Sequence, residues 1–378
     1  MRIIIDCTNL QVGGGIQVAL SFLNDLCQMK RNEDFIILMS PQISTLIDFK
    51  RYGENFEFIN LDKQYYKNFI TRGRAVKKIE NNIKGDVIFT VFGPSYHKSD
   101  SPKIVGYAIP HYIYEDSPFF EFISFKEKVV LFLMKKIKIL FFKKNSDFII
   151  FETQDAQQIF CKKYDYDILN TQVISNKLNQ IFLNTAQWKD KKFNFNAKYV
   201  FLCLTANYKH KNLKIIPHVI DFLLADYDLS DFKFVISQTK EQVDFGEKYE
   251  KYIEYVGQVN LDELPALYES VDVVLMSTLL EVFSTTYLEA MFMKVPIVTT
   301  DLSFARDICR DAALYYKPLD AKDCATQLYN VVKDDLLTKN LIELGIENGS
   351  RFGNSLDRTK DYLDVILEKG NESNNSIK

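Results

Sequence analysis

Four stretches of the chain carry residues whose types and spacing could do chemistry. Glu281 and Glu289 bracket Glu-Val-Phe-Ser-Thr-Thr-Tyr-Leu-Glu, between an apolar run and a segment of helical period. An ionised carboxylate accepts from two hydroxyls at once, so such a pair suits a ligand with two hydroxyl-bearing parts, its phosphates facing the helix N-terminus between them. Thr286-x-x-Glu289 is also a capping-box pattern, which would engage Glu289 with no ligand at all. Lys209, His210 and Lys211 cluster after another apolar run, where open α/β sheets bind anions, although a solvated basic loop is the plainer account of that stretch alone. Gln11-Val-Gly-Gly-Gly-Ile16 follows the first apolar run, and its glycines permit a tight turn with open N–H groups at a helix start. Its spacing is not the GxGxxG dinucleotide fingerprint, because Gln17 and Val18 stand where a small residue is needed. His111, one of four histidines, follows the run 104–108 and suits either a proton-handling or a structural donor role.

Residues at strand ends need strands and helices to hold them there. Short β-branched and aromatic runs at 2–6, 35–39, 56–60, 86–92, 104–108 and 148–152 fill the first half, with a helical period at 17–28. The second half repeats the pattern with runs at 199–204, 233–237, 253–256, 271–276 and 297–300, and helical segments at 261–270, 286–293 and 321–334. Alternation of this kind predicts α/β architecture with parallel sheets and crossover helices. Pro217 either kinks the helix after Lys211 or marks its late start. The stretch 165–192 is rich in Asn, Gln and Lys without clear period, which predicts one domain at 1–174 and a second at 175–352. A last helical segment falls within 353–369, and 370–378 has nothing to bury and is expected to be disordered.

The 378 residues suffice for two domains with substantial cores. A net charge of −3, from 47 basic and 50 acidic residues, excludes a nucleic-acid binder of general type. Six scattered cysteines with no CxxC or Cys/His cluster read as reduced core thiols, and Asp6 interrupts any signal-peptide core, so a cytoplasmic setting is expected. The apolar segment 129–142 is broken by Lys135, Lys136 and Lys138 and is too short to span a bilayer. With its flanking lysines, the stretch 126–144 reads equally well as a membrane-surface helix or a buried helix with snorkelling lysines.

Glu281-x7-Glu289 followed by Ala-Met-x-x-x-x-Pro-Ile-Val-x-Thr-Asp resembles the retaining glycosyltransferases of family 4, which have the GT-B fold. The glycines at 13–15, the His-Lys-Asn at 210–212, and Gly257-Gln-Val-Asn-x-Asp-Glu-Leu with Asp272 beyond it agree in order. The resemblance implies two Rossmann-like doubly wound domains facing across a cleft, the acceptor mainly on the first, the sugar nucleotide mainly on the second, and the last helix packing back on the first. It implies that Lys211, helped by Lys209, neutralises a diphosphate, that Glu281 holds donor-sugar hydroxyls and that Glu289 holds the ribose. Backbone N–H groups around Phe283, Ser284 and Thr285 would receive phosphate or sugar oxygens, Gly14 and Gly15 would close on the diphosphate, and His111 would stand near the donor sugar. Val282, Ser284 and Thr286 replace the family's usual Gly, Gly and Pro, and Ala206 replaces a common Arg.

The expected activity is retaining transfer from a UDP- or GDP-sugar to a glycan or lipid-linked hydroxyl in bacterial surface polysaccharide synthesis. No obligatory metal or other cofactor is expected, because no Asp-x-Asp motif lies in a convincing loop. The alternatives are a GT-B sugar-nucleotide epimerase, or a binding protein that keeps the fold without turnover; the glycine spacing argues against a nicotinamide dehydrogenase.

Overall fold

The computed structural model describes residues 1–376, and the chain forms two units, each with its own parallel sheet. Met1–Ile113, Phe125–Asn176 and the stretch from Asn354 onward make the first; Tyr114–Ser124 and Lys177–Gly353 make the second.

In the first unit, β1 (Arg2–Asp6), β2 (Asp34–Met39), β3 (Phe56–Asn60), β4 (Val87–Thr90), β5 (Lys103–Tyr107), β6 (Phe148–Phe151) and β7 (Thr171–Val173) lie in the order β3-β2-β1-β4-β5-β6-β7. Every pairing is parallel, with Ile3 opposite both Phe35 and Val87, and Ile104 opposite Phe148. Ile3, Ile4 and Ile5 are all fully buried, as expected of a central parallel strand covered on both faces. Helix Gly14–Gln28 lays Phe22 and Leu23 on one face of the sheet, and Phe22 meets Tyr362 of helix Ser355–Ser376 edge to face at 5.5 Å. That last helix starts at Ser355, inside the expected 353–369 segment, and continues through most of the stretch expected to be a disordered tail; residues 377 and 378 lie outside the described residues. Inside this unit Lys103, 1% exposed, reaches Glu80 at 3.3 Å and Ser95 at 3.0 Å, while His97 sits 2.6 Å from the same carboxylate.

In the second unit, β8 (Tyr199–Cys203), β9 (Phe232–Ile236), β10 (Ile253–Tyr255), β11 (Val273–Met276), β12 (Ile297–Thr300) and β13 (Leu314–Tyr316) lie in the order β10-β9-β8-β11-β12-β13, again all parallel. Strand order therefore reverses between β1 and β4 in one sheet and between β8 and β11 in the other, the switch points of doubly wound sheets. Pro217 is the second residue of helix Ile216–Ala225, so it marks a late start after two short 3₁₀ turns and does not kink the helix. Two short strands, β7 and β13, were not anticipated, and Tyr114–Ser124 joins the second unit although the sequence placed it within the first. Its hold there is specific: Ser117 Oγ donates to the Leu279 carbonyl, and Phe119 meets the His210 ring edge to face. All six cysteines are free thiols, five of them buried. Among the described residues no helix is long and apolar enough to cross a membrane.

Candidate functional site

The switch point of the second sheet gathers Lys211 and Glu281. Lys211 ends a 3₁₀ turn after β8, which Asn212 closes in the left-handed conformation at φ 50°. Carbonyls of that turn are bonded to the loop after β11: Ser277 Oγ donates to Lys211 O at 2.6 Å and the Leu279 N–H to His210 O at 2.7 Å. The two loops leave adjacent strands, so these bonds carry Lys211 to Glu281, and the ammonium and carboxylate form an ion pair. The side chains keep 15% and 19% of their exposure, enough for a ligand to reach them. Lys209 is exposed on the same turn, and His210 stacks on Tyr208 at 5.5 Å.

Downstream of Glu281, the helix Thr285–Phe292 begins after Ser284, whose side chain makes no cap bond. Thr286 lies inside that helix, so the capping box through Thr286 does not form. Glu289 is instead 6% exposed, accepting from the Tyr268 hydroxyl at 2.8 Å, with Thr285 also bonded to it. Burial raises its carboxyl above the ordinary range, and these two hydroxyls partly offset the rise. Tyr268, the end of the motif that begins at Gly257, is thus a partner of the site to which the sequence reading gave no role of its own. Val282 is 3% exposed and turned into the unit, and neither it nor Ser284 has positive φ, so the loop does not need the family's glycines. Phe283 is buried against Phe352, while Ser284 and Thr285 stay half-buried at the helix start.

A hollow of about 720 Å³ also opens in this unit, lined by Asn212, Lys214, His218 and Lys317 among others. None of Lys211, Glu281 or Glu289 lines it, so it is not the expected donor pocket.

Gly14, Gly15 and His111 belong to the first unit. Helix Gly14–Gln28 begins directly after Gly13, whose φ 78° and ψ −167° only glycine adopts without strain. A Cβ on Gly14 would meet nothing within 4 Å, whereas one on Gly15 would press Leu10 at 3.2 Å and Phe92 at 3.3 Å. Their N–H groups are first-turn donors without intrahelical partners. His111 lies in the turn Pro110–Tyr112 after β5, where burial and then the Lys138 ammonium hold its imidazole below the usual range. Among the described residues no three His, Cys, Asp or Glu side chains are grouped to hold a metal ion.

Comparison with known proteins agrees with this geometry. Residues 198–334, which include β8 through β13, match the family described as glycosyl transferases group 1. The O-antigen chain mannosyltransferase RfbU of Salmonella typhimurium is 22% identical over 225 residues, which are 58% of this chain; the match spans 59% of that relative's length. HepE of Anabaena, solved with UDP and glucose, superposes with a TM-score of 0.70 at 13% identity, over 97% of this chain and 100% of that one. Sucrose-phosphate synthase from Thermosynechococcus elongatus gives a TM-score of 0.72 at 12% identity, over 97% and 98%. The structural likenesses carry the GT-B fold, and the matched family covers the sheet on which Lys211, Glu281 and Glu289 stand. Residues 198–334 thus match the glycosyl transferases group 1 family, and the chain has the GT-B fold of the solved structures it resembles.

Proposed function

We propose that the protein moves a hexosyl group from a UDP- or GDP-sugar to a hydroxyl of a glycan or lipid-linked acceptor, with retention, in bacterial surface polysaccharide synthesis. The observation that supports this most directly is the Lys211–Glu281 pair at a sheet switch point. A diphosphate arriving there takes the ammonium and leaves both Glu281 oxygens to accept hydroxyls of the donor sugar. Lys209 adds a second charge, and the N–H groups of Phe283, Ser284 and Thr285 at the helix start receive phosphate or sugar oxygens. Glu289, oriented by the Tyr268 hydroxyl, holds the ribose, and Gly14 and Gly15 give the diphosphate a close backbone approach. His111, neutral at pH 7, hydrogen-bonds at the reacting sugar. UDP and glucose bound to HepE, and the mannosyl transfer for which RfbU is named, support a hexosyl nucleotide as donor.

No carboxylate is assigned as nucleophile, so transfer follows same-face displacement. The bond from the anomeric carbon to the diphosphate breaks, the acceptor oxygen bonds on the same face, and its proton passes to the leaving phosphate oxygen. Lys211 offsets the charge growing on that oxygen, so positioning and electrostatics supply most of the acceleration. The outer face of helix Phe125–Asn145 exposes Val129, Leu133 and Leu140 beside Lys126, Lys136 and Lys144, which suits an anionic membrane surface and a lipid-linked acceptor.

The test is thermal unfolding with UDP-, GDP-, dTDP- and ADP-sugars, with NAD as control and EDTA throughout. A ligand at about 100 times its Kd adds about 2.7 kcal/mol, a shift of several degrees. Stabilisation by one sugar nucleotide but not by NAD, with product formed in EDTA, is expected. Stabilisation by NAD alone overturns the assignment, and release of an epimerised sugar nucleotide without an acceptor identifies an epimerase.

A further inference from the structure

β1, β4 and β5 are neighbours in the first sheet, and their carboxyl ends flank its switch point, where open α/β sheets bind ligands. The loops beyond them close around two cations. Asn9, after β1, accepts from Arg72 Nη2 at 3.0 Å, and its own amide nitrogen donates to the Phe92 and Pro94 carbonyls after β4. The Arg72 guanidinium lies over the rings of Tyr96 and Tyr66, at 5.2 and 5.6 Å. Lys138, on the inner side of helix Phe125–Asn145, holds its Nζ 5.9 Å from the ring of Tyr112, which follows β5.

Among the described residues neither Arg72 nor Lys138 is ion-paired with a carboxylate. Arg72 Nε and the Tyr66 hydroxyl are buried with no hydrogen-bond partner. Asp6 is close enough for the Tyr66 hydroxyl to feel its charge, but Thr8 and Thr90 occupy its oxygens. Burial and then Arg72 hold the Lys138 ammonium below its usual range, so each cation raises the cost of the other. Elsewhere in the same unit the fold gives its buried Lys103 a carboxylate, Glu80. Partly buried cations left with only ring faces, the Tyr96 hydroxyl and a neutral amide are costly, and an arriving anion removes that cost.

We infer that Arg72 and Lys138, with Tyr66, form a phosphate site on the first unit, and that the acceptor sugar is presented there as a phosphate or diphosphate ester. The inference rests on the transferase reading above. Two cations and two open donors match the charge and oxygens of such an ester, and arginine binds phosphate through its planar fork. A soluble sugar phosphate and a lipid-borne one share this chemistry.

The test is calorimetric titration of the wild type, Arg72→Gln, Lys138→Met and Lys138→Arg with glucose 1-phosphate against glucose, and with farnesyl phosphate against farnesol in detergent. At least one phosphate probe should bind tenfold or more tightly than its uncharged counterpart. Arg72→Gln and Lys138→Met should each lose tenfold or more of that affinity, and Lys138→Arg should keep most of it. Preference for glucose 1-phosphate alone identifies a soluble acceptor and preference for farnesyl phosphate alone a lipid-borne one; either supports the site. Lys138→Met keeps the apolar stem, so its melting temperature shows whether the fold is intact. Lys211→Met is titrated in parallel: loss of phosphate affinity there, with Arg72→Gln and Lys138→Met unaffected, moves the probe to the second unit and overturns the inference. UDP titrated into the wild type reads the transferase assignment separately, so a protein that binds UDP but neither phosphate probe refutes this inference alone.

Discussion

Replacing Glu281 by Gln should separate two tasks that its ion pair with Lys211 couples. In the ligand-free chain the two side chains are 15% and 19% exposed and paired to each other. Exposed pairs contribute about 0.2–1 kcal/mol, and breaking a fully buried one costs about 3–5 kcal/mol, so this pair belongs between them, at about 1.5 kcal/mol. A diphosphate must break it before Lys211 can bind phosphate oxygens. With Gln at 281 that cost disappears, and UDP should bind about tenfold more tightly, since about 1.4 kcal/mol is a factor of ten. The donor sugar fares the other way. It loses a charged acceptor worth about 1.5–3 kcal/mol, so kcat/KM for the sugar nucleotide should fall about ten- to a hundredfold. Lys211→Met, lacking the phosphate partner, should weaken UDP and sugar nucleotide alike. Calorimetry with UDP and UDP-glucose on the two single variants and the double variant reads all of this. If Glu281→Gln weakens UDP as much as Lys211→Met does, the carboxylate does not restrain the ammonium and the reasoning fails.

The glycine loop offers a second separation. Gly13→Ala should destabilise the chain by about 1–3 kcal/mol in urea melts, because its backbone conformation is open only to glycine. Gly14→Ala, whose Cβ meets open space, should leave stability within about 1 kcal/mol yet lower kcat/KM, and unchanged kinetics would remove that glycine from the diphosphate site. The raised carboxyl of Glu289 makes a pH prediction: the folded chain holds that proton more tightly than the unfolded chain, so its stabilisation is full below the ordinary value of 4.5 and is lost as pH rises through the folded value. Glu289→Gln keeps an acceptor for Tyr268 and removes this loss, so its stability advantage over the wild type should widen as pH rises above the ordinary value of 4.5; parallel curves would show that burial does not hold the proton. Serines at Val129, Leu133 and Leu140 should reduce sedimentation with phosphatidylglycerol vesicles severalfold without lowering the melting temperature, and equal sedimentation would assign the exposed face no lipid.

Much of the sheet was legible because central parallel strands write themselves as unbroken apolar runs: Ile3-Ile4-Ile5 and Val273-Val274-Leu275 allow little else. β7, Thr-Gln-Val, and β13, Leu-Tyr-Tyr, are three-residue edge strands too short to stand out, and β7 is polar besides. Glu281 and Lys211 were identifiable one at a time, by residue type and by resemblance, but they are 70 positions apart, and their pairing depends on Ser277 and Leu279 bonding one loop to the next. Glu289 left two accounts open until the helix start was fixed at Thr285, which removes the cap and leaves a buried carboxylate with Tyr268. Arg72 and Lys138 gave no local signal. Each is an ordinary basic residue on a helix, and only the loops after β1, β4 and β5 give them a shared environment.

Helix Ser355–Ser376 completes the first unit although the whole second unit precedes it in the chain. On the ribosome, therefore, the earlier-made unit must wait with the faces of Phe22 and Phe89, which Tyr362 later covers, still open to water, while the later-made unit has all its strands first. The order of synthesis and the order of completion are inverted. A chain that stalls or is clipped before residue 355 would carry a complete second sheet and an unfinished, adhesive first unit, which makes the last helix the natural checkpoint for quality control during translation.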